Sequence, residues 1–135
     1  MNNTLLIEFD TVKFWTEHGI LFCQILNTKA IKLNAKERLS QYVDAIYTLS
    51  EGKPIPFIID MQSTLGTFST EIAKLLADSP ALNKIRLCEA FVSNSINTTL
   101  LVHSYKRIYE SETPYRIFKD FETAKQYCLT YKDDL

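Results

Sequence analysis

The stretch from Gly52 to Asp60, with the sequence GKPIPFIID, decides the predicted fold of this chain. Gly52 ends a helix, since glycine readily takes the left-handed backbone of a helix C-terminal cap. The prolines at 54 and 56 impose an extended backbone on the residues before them. Phe57-Ile58-Ile59 is continuously apolar, a pattern typical of a parallel strand that is covered by helices on both faces. The stretch therefore predicts a helix followed by a fully buried strand.

Upstream of this stretch, the pattern predicts an antiparallel meander of three strands. Glu17-His18-Gly19 forms a tight turn, in which Gly19 is free to take a positive φ. Phe14 and Trp15 are neighbours in one strand, so their rings point to opposite faces of the sheet. We expect core packing for both rings, with a partner contact as the alternative for the outward one. The strands span Leu5 to Phe9, Val12 to Thr16 and Ile20 to Leu26.

The helix that ends at Gly52 begins at Asn34, whose side chain caps it together with Glu37 three residues on. Downstream, helices and strands alternate, which predicts parallel strands joined by right-handed crossovers. The last two helices begin at Ser93-Asn94-Ser95 and at Asp120. Apolar side chains at 96, 100, 105 and 108 lie on or near one face of the first of them. The predicted elements are a helix from about Ser69 to Ala77 that Asp78-Ser79-Pro80 breaks, strands Arg86 to Val92 and Tyr115 to Phe118, and helices to about Tyr109 and Tyr131.

The order β-β-β-α-β-α-β-α-β-α predicts one α/β domain over residues 1–135, with a mixed, mostly parallel sheet and about four helices. Its composition, 46% apolar and 23% charged, is that of an ordinary globular domain. The net charge of −1 lacks the basic excess of nucleic-acid-binding proteins. The first residues lack the charged region and apolar core of a signal peptide, so we expect no leader, and no stretch reaches the roughly 18 apolar residues that span a bilayer. We therefore expect neither nucleic acid nor a membrane span.

Three cysteines, at positions 23, 88 and 128, lie far apart and form no CxxC motif or Cys/His cluster. Buried free cysteines fit a reducing, cytoplasmic compartment. His18 and His103 have no partner at metal-site spacing, so no metal site is predicted. The chain has no GxSxG elbow, no P-loop and no GxGxxG motif, so no cofactor is predicted.

Three strings in this order resemble a known family. They are the stretch 52–60, the segment AFVSNS at 90–95 and the segment TPYRIFKD at 113–120. The chain resembles the STAS-like, or SpoIIAA-like, domains of bacterial anti-sigma-factor antagonists, in a divergent branch called STAS/SEC14-like. The resemblance covers roughly residues 20–131 and implies the same α/β fold.

Classical members of that family are phosphorylation-controlled partners of a kinase-like anti-sigma factor. The resemblance places their phosphoacceptor serine at the start of the helix after the buried strand, where this sequence has Ser69. Phe68 stands in the place of the acidic residue that precedes this serine in the family, and the usual Gly-Leu-Gly is absent.

Polar residues gather where the predicted parallel strands end, which is the edge at which open α/β sheets bind ligands. We expect either a phosphoacceptor or partner-docking edge or a structural role, in which an aspartate tethers loop amides and a hydroxyl caps a helix. The candidate residues are Asp60, Ser63, Ser69, Thr70 and Ser93.

The missing catalytic motifs and the resemblance together predict a non-enzymatic regulatory or protein-interaction module. We expect a protein partner or self-association. A carrier of a small apolar or lipid-like ligand is the alternative, suggested by the SEC14-like resemblance. An enzyme of unknown type is the third hypothesis, and the segment from Asp60 to Ser69 is its sole support.

Overall fold

The computed structural model of the chain describes residues 6–8, 12–25, 35–61, 79–109 and 113–133. These residues contain six strands and four helices. The strands are β1 (Leu6–Glu8), β2 (Val12–Glu17), β3 (Ile20–Ile25), β4 (Ile55–Asp60), β5 (Arg86–Val92) and β6 (Tyr115–Phe118). The helices are α1 (Ala35–Ser50), α2 (Pro80–Ile85), α3 (Ile96–Tyr109) and α4 (Phe121–Asp133).

The six strands form one sheet in the order of the chain, β1-β2-β3-β4-β5-β6. β1, β2 and β3 pair antiparallel, and β3, β4, β5 and β6 pair parallel. The predicted mixed sheet with an antiparallel meander at its start is therefore confirmed. The helix predicted from Ser69 to Ala77 and the cap at Asn34 lie outside the described residues.

The hairpin between β2 and β3 turns through two residues with positive φ, His18 at 54° and Gly19 at 74°. Two successive positive φ values define the type I′ turn, whose twist matches that of the flanking strands. The prediction for Gly19 is confirmed. The same backbone at His18 is not predicted from the sequence, because a side chain makes a positive φ less favourable there.

α1 ends as the sequence predicts, at a left-handed turn. Glu51 and Gly52 have φ values of 57° and 71°. The amide of Gly52 donates to the carbonyl of Tyr47 at 3.2 Å, and that of Lys53 donates to the carbonyl of Ser50 at 3.1 Å. These bonds satisfy carbonyls at the helix end that have no partner inside the helix.

The short helix α2 is not among the predicted elements, because Asp78-Ser79-Pro80 is interpreted as a helix breaker. The hydroxyl of Ser79 accepts a hydrogen bond from the amide of Leu82 at 3.3 Å, and Pro80 occupies the first turn. Serine as N-cap followed by proline is a start signal, because proline lacks only an amide hydrogen that has no acceptor there. The same residues thus begin a helix.

α4 starts at the predicted cap. The Oδ1 atom of Asp120 accepts hydrogen bonds from the amide and the hydroxyl of Thr123, both at 2.8 Å. These bonds lower the pKa of Asp120, because they stabilise the charged carboxylate.

The core lies on both faces of the sheet. On one face, α1 and α2 pack over β2, β3 and β4, and Phe57 belongs to that cluster. On the other face, α4 packs over β4 and β5, where Ile58, Ala124 and Cys128 belong to a second cluster. Neighbouring residues of β4 thus enter different clusters, which confirms the prediction of a strand buried on both sides.

The neighbours Phe14 and Trp15 lie on opposite faces, as the strand periodicity predicts. The Phe14 ring meets the Tyr42 ring edge-on, with the centroids 5.7 Å apart. Trp15 stacks on Phe22 at 5.3 Å and is half-buried. Both rings therefore contribute to packing.

Candidate functional site

The carboxyl ends of the parallel strands lie at one edge of the sheet, as the topology predicts. Asp60 is paired with Val92, and Val92 is paired with Phe118. The amide of Met61 donates to the carbonyl of Val92, and that of Ser93 donates to the carbonyl of Phe118, both at 2.9 Å. The sheet therefore brings Asp60 and Ser93 to the same edge.

Asp60 is buried at this edge rather than open to solvent. Its Oδ2 atom accepts a hydrogen bond from Nε2 of Gln24 at 3.4 Å, and the two residues are register partners on β4 and β3. Asp60 also influences the thiol of Cys23, which lies nearby on β3. Burial raises the pKa of its thiol to about 12, and the charges of Asp60 and Glu89 add to the shift. Cys23 is therefore a neutral thiol at pH 7 and a poor nucleophile.

Ser93 organises the backbone at the start of α3. Its hydroxyl donates to the carbonyl of Ser95 and accepts from the amide of Ser95, both at 3.2 Å. The amide of Thr99 then donates to the carbonyl of Ser95 at 3.0 Å, as the first bond of the helix. Ser93 thus makes the local side-chain-to-backbone bonds that favour a helix start.

The remaining candidates, Ser63, Ser69 and Thr70, lie outside the described residues. A phosphoacceptor at this edge stays a prediction.

A cleft of about 670 Å³ lies beside Ser93, between α3 and β6. Two large apolar side chains of α3 stand on its wall with most of their surface in solvent, Ile96 at 79% and Leu100 at 59%. On the same wall, Nδ1 of His103 lies 3.0 Å from the hydroxyl of Tyr115, at hydrogen-bond distance. The cleft therefore combines an apolar wall with polar groups, as binding sites on proteins do.

The charged residues that line the described part of the cleft are cationic. Arg116 and Lys119 line it, and both are exposed. The Arg116 guanidinium lies 5.9 Å from the ring centroids of both Phe118 and Tyr127. Guanidinium groups stack well on aromatic rings, so these contacts restrain the arginine. None of the described residues that line the cleft is acidic.

The inner side of α3 is held to the sheet by a buried ion pair. Nζ of Lys106 bonds to Oε1 of Glu89 on β5, and the two side chains are only 4% and 7% exposed. The ammonium also lies 5.6 Å from the Phe91 ring centroid and 5.4 Å from that of Tyr115. Burial lowers the pKa of Lys106, and Glu89 opposes this shift. The pair fixes α3, and with it one wall of the cleft.

Neither the cleft nor the ion pair is predicted from the sequence. The helical spacing groups Ile96 and Leu100 with other apolar residues on one face of α3, whereas the structure leaves these two side chains in solvent and buries Val102 and Lys106. One signal was available, because Glu89 is a charged residue inside a strand that is otherwise largely apolar. Such a residue requires a buried partner.

The described residues offer little for catalysis. They contain no group of three His, Cys, Asp or Glu residues able to hold a metal ion. Cys88 on β5 and Cys128 on α4 are buried in the core between the sheet and this helix. The hydrogen bond between them and burial raise the pKa of Cys128. In the same part of the chain, no helix is long and apolar enough to cross a membrane.

Comparison with known proteins places the chain in a family. The model of a domain of unknown function, DUF7793, matches residues 14–132. The chain is also similar to the crystal structure of an uncharacterised protein from the DUF3478 family, which has a SpoIIAA-like fold and comes from Shewanella loihica PV-4. The TM-score is 0.59 at 12% identity, and the alignment covers 95% of this chain and 97% of that one.

A search of the curated proteins found no match. At such low identity, the likeness to the Shewanella protein is one of fold, and it agrees with the resemblance drawn from the sequence. The chain belongs to the DUF7793 family and has a SpoIIAA-like α/β fold.

Proposed function

We propose that this protein is a non-enzymatic regulatory module that binds another protein through the cleft between α3 and β6. The observation that carries the proposal is the exposure of Ile96 and Leu100, one helical turn apart, on the cleft wall. Large apolar side chains clustered at a surface, with polar groups around them, are typical of protein interfaces. Arg116 and Lys119 supply that polar surround.

The chemistry of the nearby side chains supports binding over catalysis. Ser93 is engaged with the backbone of Ser95, and His103 lies against the hydroxyl of Tyr115. Nucleophilic catalysis needs a base close to a serine or cysteine. The described part of the cleft contains no cysteine, and its histidine faces a tyrosine.

Site-specific photo-crosslinking in living cells tests the proposal. A photoreactive amino acid replaces Leu100 in the full chain, and a control replaces the exposed Thr130 on α4. We expect one defined protein adduct from position 100 that position 130 does not give. The captured protein is then identified, purified and titrated against the wild type and Ile96→Asp.

The proposed interface predicts that Ile96→Asp weakens this purified complex by about tenfold or more, because a charge would be buried in it. The melting temperature of the variant should stay unchanged, since the side chain is exposed in the free protein. Equal affinities for wild type and variant, or adducts that do not differ between the two positions, would refute the proposal.

A carrier of a small apolar ligand is the second candidate, and the volume of the cleft favours it. About 670 Å³ falls within the range of small-molecule pockets. A fluorescent fatty acid titrated into the protein separates the two functions. Saturable binding that Leu100→Asp abolishes would support the carrier, and absence of binding would contradict it.

A further inference from the structure

The cleft is bounded by an edge of the sheet. β6 is the last strand in the sheet order, and no strand of the described residues pairs with its outer side. The amide of Glu89 donates to the carbonyl of Pro114, and that of Ser93 donates to the carbonyl of Phe118. Residues at alternate positions of an edge strand turn their backbone groups to opposite sides. The N–H and C=O groups of Tyr115 and Ile117 therefore point away from β5, to the outer side of β6, and both residues line the cleft.

An exposed strand edge beside side-chain pockets is the arrangement to which extended peptides add as a further strand. Here the edge offers backbone donors and acceptors at Tyr115 and Ile117. The facing wall offers Ile96 and Leu100 for apolar contacts. The two features are complementary, because backbone bonds give affinity and side-chain contacts give specificity.

The charges that line the cleft indicate which kind of peptide would bind there. Arg116 and Lys119 are cationic, and none of the described lining residues is acidic. A second copy that paired its own β6 with this edge would bring four cations together, since both copies would contribute Arg116 and Lys119. Like charges in such proximity destabilise a complex, whereas acidic side chains are attracted.

From these features we infer that the occupant is an extended segment of a partner protein, apolar and flanked by acidic residues, which adds to β6 as a further strand. This inference rests on the proposed function and names the partner chemistry of the same cleft. The apolar side chains of the segment contact Ile96 and Leu100. Its acidic side chains lie beside Arg116 and Lys119.

A displayed library of random peptides of about ten residues, longer than a typical strand, supplies the probe. Peptides are selected on the full wild-type chain, and amide hydrogen exchange is measured by NMR with the best peptide bound. We expect enrichment of acidic and apolar residues. We also expect exchange at Tyr115 and Ile117 to slow by about tenfold or more, because these amides gain acceptors in a new strand pair.

Two sets of variants test the backbone and charge contributions. Ile117→Pro removes one outward amide, which edge strands tolerate, and Ile117→Val keeps it as the matched control. The double variant Arg116→Glu with Lys119→Glu reverses the charge, and Lys84→Glu changes an exposed lysine on α2 as its control. Each test variant should weaken the selected peptide by about tenfold, and neither control should do so.

The outcomes separate this inference from the proposed function. If peptides bind and Ile96→Asp abolishes binding, while exchange at Tyr115 and Ile117 is unchanged, strand addition is wrong and a protein-binding cleft stands. If no peptide is enriched, strand addition is also wrong, and crosslinking at position 100 decides the function independently. If protection of the same amides rises with protein concentration when no peptide is present, a second copy occupies the cleft and the inference of a peptide partner is wrong. The hydrogen-exchange measurement uses the wild-type chain, so it tests strand addition even if Ile117→Pro fails to fold.

Discussion

The two helices that flank β6 in the chain, α3 and α4, meet the sheet in different ways. α4 rests on small residues, Ala124 and Cys128, which are fully buried one turn apart. α3 buries Val102 and the ion pair from Lys106, and its first turns leave Ile96 and Leu100 in solvent. Small side chains let a helix approach the sheet closely along its length, while an ion pair attaches a helix to the sheet at a single position. The difference indicates that α4 contributes more to stability than the start of α3, where the proposed binding surface lies.

The largest expected effect comes from breaking the ion pair under α3. Lys106→Met should lower the free energy of unfolding by about 3–5 kcal/mol, because Glu89 would remain buried without its partner. Urea unfolding at neutral pH measures the loss. The matched control replaces both partners, as Glu89→Leu with Lys106→Met, and should recover most of the stability. A double variant as unstable as the single one would show that the charge of Glu89 is not the cause.

Because α4 packs closely on the sheet, the free energy of unfolding should be sensitive to side-chain volume on its buried side. Ala124→Leu should cost about 1–3 kcal/mol, because a larger side chain does not fit between the helix and the sheet. Gln126→Leu, at an exposed position of the same helix, adds an apolar side chain without burial and should stay within about 0.5 kcal/mol. Thermal or urea unfolding of both variants measures this. Equal changes would mean that α4 is not closely packed at Ala124.

The pH dependence of stability should carry the signature of Lys106. Burial lowers the pKa of this residue in the folded protein below its ordinary value of 10.5. The unfolded chain then binds more protons between the two values, so the contribution of Lys106 to stability rises with pH and is complete above 10.5. As pH falls through the folded pKa, this contribution is lost. Urea unfolding of wild type and the double variant Glu89→Leu with Lys106→Met from about pH 7 upward measures it, because the double variant has neither Lys106 nor an unpaired Glu89 and all other groups titrate in both proteins. A stability difference that stays constant or shrinks as pH rises would contradict the lowered pKa.

The smallest effect on stability is expected at the start of α3. Ile96→Ala and Leu100→Ala should each change the free energy of unfolding by no more than about 0.5 kcal/mol, because both side chains are largely in solvent. Truncation of such side chains in a core costs about 2–5 kcal/mol. Losses of about 2 kcal/mol or more would therefore place Ile96 and Leu100 in the core and remove the basis of the proposed binding cleft.

The local signals in the sequence determined most of the sheet. The apolar run Phe57-Ile58-Ile59 identified the central strand, because only burial on both faces explains an uninterrupted run. Gly19 and Gly52 marked the hairpin and the end of α1, where φ is positive. Each of these features depends on residues that are close together along the chain, so it can be predicted from one sequence.

Tertiary structure alone decided which polar and apolar residues are exposed on α3. Lys106 bonds to Glu89 on another element, and no helical or strand periodicity encodes that pairing. Ile96 and Leu100 follow the spacing of a buried stripe, yet the ion pair and Val102 set the side of α3 that faces the sheet. The sequence could place Asp60 and Ser93 at one edge from strand order. The cleft beside Ser93 arises from the distance between α3 and β6, which only the packing of the whole sheet fixes.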